Sequence, residues 1–293
     1  MWQAYRLVYK LQSNLLIGWH TLGYINRTRF YITGKNMWAS FTDNLTRSQK
    51  DSSGLAGYTT NGDILKEKVL LSYFYPAVKL DEPLLPQYTK DGLFYGHQTV
   101  EEFEKKYVSS FGKTAILPES NAKEDESLHE MEFMTSGVDG QSLNFVGYLF
   151  VQNKTEIDGV AVDEKYIRDI FSEIFVGGER KYGWGRLALA EIVEDKIFFK
   201  HELILTEDKP VLKIKKDTFL PAHTPVREDI PFKGSIETFV GRDWGDVVDG
   251  KGVRMFGSGR KISDAKLCWE PGSQFCGEVK EFPIGEYAIL KSA

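Results

Sequence analysis

The sequence has little cysteine, no long apolar run and no excess of basic residues. Cys268 and Cys276 stand without a neighbouring histidine cluster, which excludes a disulfide scaffold and a CxxC-type zinc site. No apolar run approaches the roughly 18 residues of a membrane span. Arg6 and Lys10 lie where a signal peptide would need an apolar core. We therefore expect a soluble, cytoplasmic protein with reduced thiols and no membrane partner.

The composition is globular, with 42% hydrophobic and 27% charged residues in 293, which excludes a disordered or collagen-like chain. A net charge of −5 also excludes a uniformly basic chain. The charge is uneven, however: residues 1–50 hold seven basic side chains against Asp43, and residues 251–266 hold five against Asp264. Acidic residues gather at 119–132. One basic face for a nucleic acid is therefore compatible with the acidic total.

Apolar periodicity predicts the order of the elements. Alternation predicts a strand over 2–11, helical spacing predicts a helix over 35–47, and the polar stretch 47–63 predicts a mobile loop. The acidic stretch 118–132 predicts a surface loop. Further predicted elements are a strand from Val69 to Tyr75, a helix with a capping box at Thr99 and Glu102, a strand over 143–151, a helix capped by Asp163 with its apolar stripe running to Phe175, and strands over 187–193 and 196–205.

The order strand–helix–strand–strand–helix–strand is that of a ferredoxin-like domain. After it come short strand patterns, GSIETFV, AKLCW and GEYAIL, punctuated by glycine and proline. We predict an α+β chain with two ferredoxin-like (RRM-like, βαββαβ) domains. The first spans 1–205 with insertions, and the second, degenerate and β-rich, spans 206–293.

A glycine-rich segment, GGERKYGWGR, follows the predicted second helix of the first domain. Its four glycines free the backbone for close approach to a ligand, and exposed N–H groups in such a loop bind phosphate oxygens. The same segment carries three basic side chains and the stacking surfaces of Tyr182 and Trp184. This combination suits phosphate together with an unpaired base. It is neither a Walker A loop nor a dinucleotide-binding loop, because it precedes a strand.

Three segments resemble the CRISPR-associated RAMP superfamily. GGERKYGWGRL resembles the family's glycine-rich loop, which lies between the last helix and last strand of a ferredoxin-like domain and contacts crRNA. Tyr31 to Ala39 resembles the family's Y-[IV]-P-G-[ST]-x-[LM]-x-[GA] approach to the first helix, with Thr33 in place of the proline. LCWEPGS, from Leu267 to Ser273, resembles the W-x-P-G-S element of larger type III members.

The resemblance implies a particular kind of subunit. Backbone subunits that cut target RNA carry an aspartate after the first strand, whereas no acid stands between Gly18 and Gly34, and the GGDD motif of the large polymerase subunit is absent. What remains is the non-catalytic subunit that caps a type III complex and grips the crRNA 5′ handle. The implied partners are crRNA, the large polymerase-type subunit, backbone RAMP subunits and, indirectly, target RNA, with no cofactor and no metal.

The RNA-binding residues are predicted from the glycine-rich segment, the N-terminal basic stretch and the basic stretch near residue 260. They are Trp19, His20, Arg27, Arg29, Lys35, Gly177, Gly178, Arg180, Lys181, Tyr182, Gly183, Trp184, Gly185, Arg186, Arg254, Arg260 and Lys261.

Two alternatives stay open. One is a crRNA-processing endoribonuclease of the same superfamily, in which His20 would be the general acid or base that activates the RNA 2′-OH. The other is an interaction module that reuses the fold and binds only protein. Retained RNA binding with lost precursor cleavage in His20→Ala favours the first, and no RNA association at low salt favours the second.

Overall fold

The computed structural model describes residues 1–49, 54–114, 129–248 and 252–291, with the side chains of all but 54–56, 242–247 and 254–260. Up to residue 205 the described elements are β1 (Trp2–Leu11), β2 (Gly18–Leu22), β3 (Ile25–Thr28), α1 (Gly34–Ser48), α2 (Gly54–Glu67), β4 (Val69–Leu71), β5 (Tyr75–Ala77), β6 (Pro86–Thr89), β7 (Gly92–Tyr95), β8 (Gln98–Thr99), α3 (Val100–Tyr107), β9 (Val108–Lys113), β10 (His129–Met134), β11 (Gly137–Val138), β12 (Gln141–Ser142), β13 (Asn144–Gln152), β14 (Glu156–Ile157), β15 (Val160–Ala161), α4 (Glu164–Phe171), β16 (Glu173–Phe175), a 3₁₀ turn (Arg180–Tyr182), β17 (Arg186–Glu194), β18 (Ile197–Phe198) and β19 (His201–Leu205).

From residue 206 the described elements are strands and one 3₁₀ turn. They are β20 (Pro210–Ile214), β21 (Thr224–Pro225), β22 (Phe232–Lys233), β23 (Ile236–Phe239), β24 (Arg242–Val248), β25 (Arg254–Ile262), β26 (Lys266–Trp269), β27 (Gln274–Phe275), β28 (Lys280–Pro283) and the turn Glu286–Ala288. None of the described helices is both long enough and apolar enough to cross a bilayer.

Six strands form the central sheet, in the order β16-β17-β1-β13-β4, with β5 also paired to β13. The pairs are antiparallel, and Tyr5 of β1 lies between Leu149 of β13 and Glu194 of β17. Helices α1 and α2 connect β1 to β4, and α4 precedes β17. The chain up to residue 194 therefore follows the strand–helix–strand–strand–helix–strand connectivity that the sequence predicts, with the last strand of the unit beside the first.

Aromatic side chains attach the helices to one face of this sheet. Tyr9 of β1 donates its hydroxyl to the carbonyl oxygen of Phe171 at 2.8 Å, and its ring meets Phe41 of α1 edge-on at 6.5 Å. The Phe41 and Phe171 rings stack at 4.1 Å, which joins α1 to α4. Aromatic pairs of this kind add about 0.5–1.5 kcal/mol each beyond the area that they bury.

The opposite face is covered by Phe198 at the end of β18 and by Phe199 in the turn that follows. The ring of Tyr148 lies 4.8 Å from Phe198 and 5.0 Å from Phe199, and that of Phe150 lies 5.7 Å from Phe198. Tyr148 and Phe150 are consequently buried. RRM domains stack RNA bases on this face of their sheet. In this chain the same face is occupied by the protein's own side chains.

A second sheet, β2-β3-β10-β9, stands beside the central one. Strand β10 pairs in parallel with β3 and antiparallel with β9. A bridge between Leu15 and Met134 holds the segment before β2 against the end of β10. This sheet therefore carries Trp19, His20 and Arg27 next to the end of β1.

Local signals in the sequence predict several elements correctly. Thr99 and Glu102 form the predicted capping box at α3, and Asp163 accepts a hydrogen bond from the Tyr166 backbone at α4. The helix predicted to run to Phe175 ends at Phe171, however, and Glu173–Phe175 form β16. The strand predicted from Val69 to Tyr75 is likewise divided between β4 and β5. The loop predicted over 47–63 is wrong in part, because α2 covers its second half. The acidic loop predicted over 118–132 lies outside the described residues up to 128, and its last four residues belong to β10.

Three later predictions differ from the structure. The strand predicted over 196–205 is two strands, because Phe199 and Lys200 adopt positive φ between them. Residues 286–288 of GEYAIL form a 3₁₀ turn, not a strand. The predicted boundary between residues 205 and 206 separates the paired strands β19 and β20, and one apolar core extends across it. The described residues after 205 are rich in strands, as predicted, but they hold no α-helix. The second βαββαβ copy therefore stays a prediction.

A buried polar chain joins the first part of the protein to the last. Arg29, just after β3, donates two hydrogen bonds of 2.8 Å to Glu237 of β23. Trp19 donates its Nε1–H to the same carboxylate at 3.2 Å. His223 contacts Glu237 through Nε2, and its Nδ1 lies 2.6 Å from the Tyr73 hydroxyl. Residues more than 200 positions apart thus share one carboxylate.

The protonation states along this chain follow from burial and from its hydrogen bonds. Burial raises the pKa of Tyr73 well above its ordinary value, so its hydroxyl donates to Nδ1. Burial also lowers the pKa of His223, which is therefore neutral and donates from Nε2 to Glu237. Burial alone would raise the pKa of Glu237, but hydrogen bonds from His223 and Arg29 outweigh it and hold that pKa below its ordinary value.

We expect the free energy of unfolding to fall as the pH is lowered from about 7.5 to about 5, because the unfolded chain takes up the proton that buried His223 refuses below its ordinary pKa of about 6.5. The loss approaches about 1.4 kcal/mol per pH unit for one such group. Glu237 adds to the loss at lower pH, since its folded pKa is also depressed. Urea unfolding at several pH values measures the slope.

His223→Gln should flatten this slope. The pKa of His201 is lowered by burial as well, so His201→Gln supplies the matched comparison. It should remove a separate part of the pH slope. An equally steep slope in His223→Gln would contradict the assigned protonation state.

Candidate functional site: the glycine-rich loop and its flanks

The predicted glycine-rich loop connects β16 to β17, and backbone contacts close its base. The Gly178 N–H donates to the Leu16 carbonyl oxygen at 2.8 Å, and the Gly185 N–H donates to that of Asn14 at 2.7 Å. Val176 and Gly185 also bond to each other across the loop, at 2.9 Å. The loop is therefore fixed to the segment that leaves β1.

Glycine is required at two of these positions. Gly177 has φ +83° and Gly185 has φ +77°, a backbone conformation that other residues rarely adopt. A Cβ at Gly177 would overlap the carbonyl oxygen of Leu16, and a Cβ at Gly185 would overlap that of Val176. Gly183 has a similar φ of +78° but faces open space.

Between these glycines the chain makes the short 3₁₀ turn Arg180–Tyr182, which projects from the fold. Tyr182 is 70% exposed, and Lys181 is exposed beside it. The turn thus forms a ridge, with one cavity along each side. We call it the loop ridge.

The cavity on one side of the loop ridge is polar and basic. Its volume is about 590 Å³, and it is lined by Ser40, Asp43, Asn44, Arg47, Glu173, Phe175, Arg180 and Lys181. The Asp43 carboxylate lies between two guanidinium groups, 3.1 Å from Arg47 and 3.2 Å from Arg180. Lys181 makes no ion pair with any residue that the structure describes. Exposed pairs are worth about 0–1 kcal/mol, so breaking the Arg180–Asp43 pair costs little.

The cavity on the other side of the loop ridge is aromatic. It measures about 340 Å³ and is lined by Asn14, Phe111, Lys113, Phe133, Tyr182 and Trp184. The Trp184 ring lies 4.8 Å from Phe133 and 6.4 Å from Phe111. Lys113 lies 4.0 Å above the Tyr182 ring and pairs with Glu179. The predicted stacking surfaces of Tyr182 and Trp184 therefore open onto one groove.

The predicted N-terminal cations have partners within the fold. Arg27 pairs with Glu104 at 2.6 Å and with Glu132 at 2.7 Å, and Arg29 is held by Glu237 with only 12% of its side chain exposed. Arg186 is more exposed and pairs with Glu173 at 2.6 Å. Of these three arginines, Arg29 is thus the least accessible to an RNA phosphate.

Two predicted aromatic positions lie on β2. Trp19 is 37% exposed, and its ring lies 4.4 Å from that of His20, which is also exposed. Sequence spacing alone could not show that Trp19 bonds to Glu237, 218 positions away.

The remaining predicted cations lie elsewhere. Lys35 is a buried side chain in the first turn of α1, 5.2 Å from the Tyr287 ring, and it lines a cavity of about 230 Å³ with Lys261. Arg254 and Arg260 belong to β25, but their side chains lie outside the described part of the chain.

Sequence reasoning missed part of the site. Phe111, Lys113 and Phe133 reach the loop ridge through β9 and β10, which the predictions did not assign as strands. Arg47 and Asp43 reach it from α1. Alternation in HEMEFM, residues 129–134, is the signal that could have indicated β10.

Substitutions at Gly183 and Gly185 separate backbone strain from close packing. Gly183→Ala should lower the free energy of unfolding by about 1–2 kcal/mol, the cost of a left-handed residue. Gly185→Ala should lower it further, because its Cβ overlaps the Val176 carbonyl oxygen as well. Urea unfolding compares the two, and equal losses would show that the base of the loop is looser than described.

Comparisons with known proteins identify the fold. No protein-family model matches the sequence, and no curated protein matches it. The chain is similar to one in the cryo-EM structure of the Type III-B Cmr-beta bound to cognate target RNA and AMPPnP, state 1, with TM-score 0.52 and 11% identity over 92% of this chain and 85% of that chain. The corresponding structure bound to cognate target RNA gives TM-score 0.50 and 12% identity over 92% and 86%. At such identities the similarity shows a shared fold.

Proposed function

We propose that this protein is a non-catalytic RNA-binding subunit of a type III CRISPR–Cas interference complex, which grips the crRNA 5′ handle and caps the complex in antiviral defence. Its partners would be crRNA, the large polymerase-type subunit and backbone RAMP subunits, with target RNA bound indirectly. The observation that carries this proposal is the loop ridge, with a basic cavity on one side and an aromatic groove on the other.

Single-stranded RNA presents phosphates along one edge and unstacked bases along the other. Arg180 and Lys181 lie where they can hold phosphates, and Tyr182 and Trp184 lie where they can stack bases. Because Gly177 and Gly185 fix the base of the loop, these groups are positioned before RNA arrives. Binding then loses little conformational entropy.

The fold supports the same proposal. The similar chains come from structures of Type III-B Cmr-beta bound to cognate target RNA, and three motifs of this sequence resemble the RAMP superfamily. Tyr148 and Phe150 are covered by Phe198 and Phe199, so the sheet face used by RRM domains is closed. RNA would therefore bind along the loop edge of the fold.

Fluorescence anisotropy with a labelled single-stranded RNA at low salt tests the loop ridge. Tyr182→Ala should weaken binding by about 1–3 kcal/mol if a base stacks there, whereas Tyr182→Phe keeps the ring and should bind like the wild type. Lys181→Ala should reduce the slope of log affinity against log salt by about 0.7.

Lys154→Ala is the matched control for Lys181→Ala. Lys154 is exposed and lies near the start of β1, about 30 Å along that strand from the loop. Lys154→Ala removes the same charge as Lys181→Ala and should leave the salt slope unchanged. Wild-type protein that binds no RNA at low salt would overturn the proposal in favour of a protein-only module.

The non-catalytic part of the proposal concerns His20. Within the described ranges its imidazole has no hydrogen-bond partner, and its ring contact is Trp19. General acid–base catalysts are usually oriented by a neighbouring group. We expect precursor repeat RNA to stay intact with both the wild type and His20→Ala, as seen by gel electrophoresis. Cleavage by the wild type that is lost in His20→Ala would replace this proposal with the endoribonuclease.

A further inference from the structure

A further cavity, of about 210 Å³, lies beside Trp19. Phe30, Tyr31 and Tyr95 are buried side chains in its wall, and Trp19 stands partly exposed at its mouth. Glu270, within the W-x-P-G-S element, lines it together with Tyr88. We call it the Trp19 pocket.

The charges around the Trp19 pocket disfavour a phosphate. Two guanidinium groups, those of Arg27 and Arg29, stand against four carboxylates, and each guanidinium is already paired with at least one of them. The four carboxylates are Glu104, Glu132, Glu237 and Glu270. An anion brought into this pocket would meet a net excess of two negative charges.

The aromatic rings of the pocket already have a cation beside them. Arg29 already lies 5.7 Å from the Trp19 ring centre and 5.8 Å from that of Tyr31. A second cation on these rings would be repelled by the first. A flat, uncharged group stacks on aromatic rings and on a guanidinium plane without that penalty.

The Glu270 carboxylate in the Trp19 pocket can distinguish one flat, uncharged base from another. Glu270 accepts hydrogen bonds from the Tyr88 hydroxyl and, at 3.2 Å, from Ser235. Each carboxylate oxygen keeps a further acceptor site. Guanine presents two adjacent N–H donors to such a carboxylate, whereas uracil presents one N–H between two carbonyl oxygens.

We propose that the Trp19 pocket takes one unstacked guanine of the bound RNA, stacked on its aromatic wall with Glu270 accepting from the Watson–Crick edge. The proposal rests on the proposed RNA-binding function. Asn14 lines the aromatic groove and Trp19 stands at the pocket mouth, so the Cα atoms of these two residues are at most about 18 Å apart. One strand of RNA reaches both.

Anisotropy with oligouridine, and with the same oligomer carrying one guanine, tests this assignment. The wild type should bind the guanine-containing oligomer about ten-fold more tightly. Glu270→Gln replaces one acceptor oxygen with an amide donor and should bring the two affinities together, with the salt slope retained. Tyr88→Phe should keep most of the preference, because the stacking ring and the carboxylate remain.

Glu207→Gln makes the same charge change at an exposed turn near the start of β1 and should keep the full preference. Thermal unfolding of each variant checks that it is folded. RNA binding without a guanine preference, or a preference that survives in Glu270→Gln, would overturn the guanine assignment. It would leave the proposed RNA binding by the loop ridge unaffected. If no oligomer binds, the proposed function falls as well. Guanosine that still quenches the tryptophan fluorescence of the wild type, but not that of Trp19→Phe, would then assign the pocket to a free nucleoside.

Discussion

The structure depends on the hydrogen bonds that converge on the carboxylate of Glu237. This carboxylate is buried, and it is stabilised there by Arg29, His223 and Trp19, which come from both ends of the chain. Removing one partner of such a buried pair typically destabilises a protein by about 3–5 kcal/mol. The same contacts place Trp19 at the mouth of its pocket. The strand-rich C-terminal part is therefore a wall of the candidate binding surface.

The distribution of charge changes its meaning once the fold is known. The N-terminal stretch holds seven basic residues against one acid, which suggests an open basic surface. In the structure Arg27 and Arg29 are matched by acids from distant elements, and Lys35 is buried. Arg47, from the same stretch, is exposed and lines one cavity together with Arg180 and Lys181 of the loop ridge.

Local patterns predicted the elements that local physics determines. The strand β1, the helix α1, the cap at Asp163 and the glycine-rich loop all follow from spacing and capping residues. Helix α2 is weakly amphipathic, and it is held by tertiary contacts such as the Trp38 indole donating to the Gly62 carbonyl at 2.8 Å. The aromatic groove and the Trp19 pocket were not predictable from the sequence, because their walls come from elements that are far apart in it.

Photo-crosslinking with 4-thiouridine-substituted RNA, followed by mass spectrometry, tests the central claim most directly, since it reports which side chains touch a base. The account predicts that crosslinked peptides contain Tyr182 and Trp184 of the loop ridge. RNA that crosslinks only to other surfaces of the folded protein would contradict it.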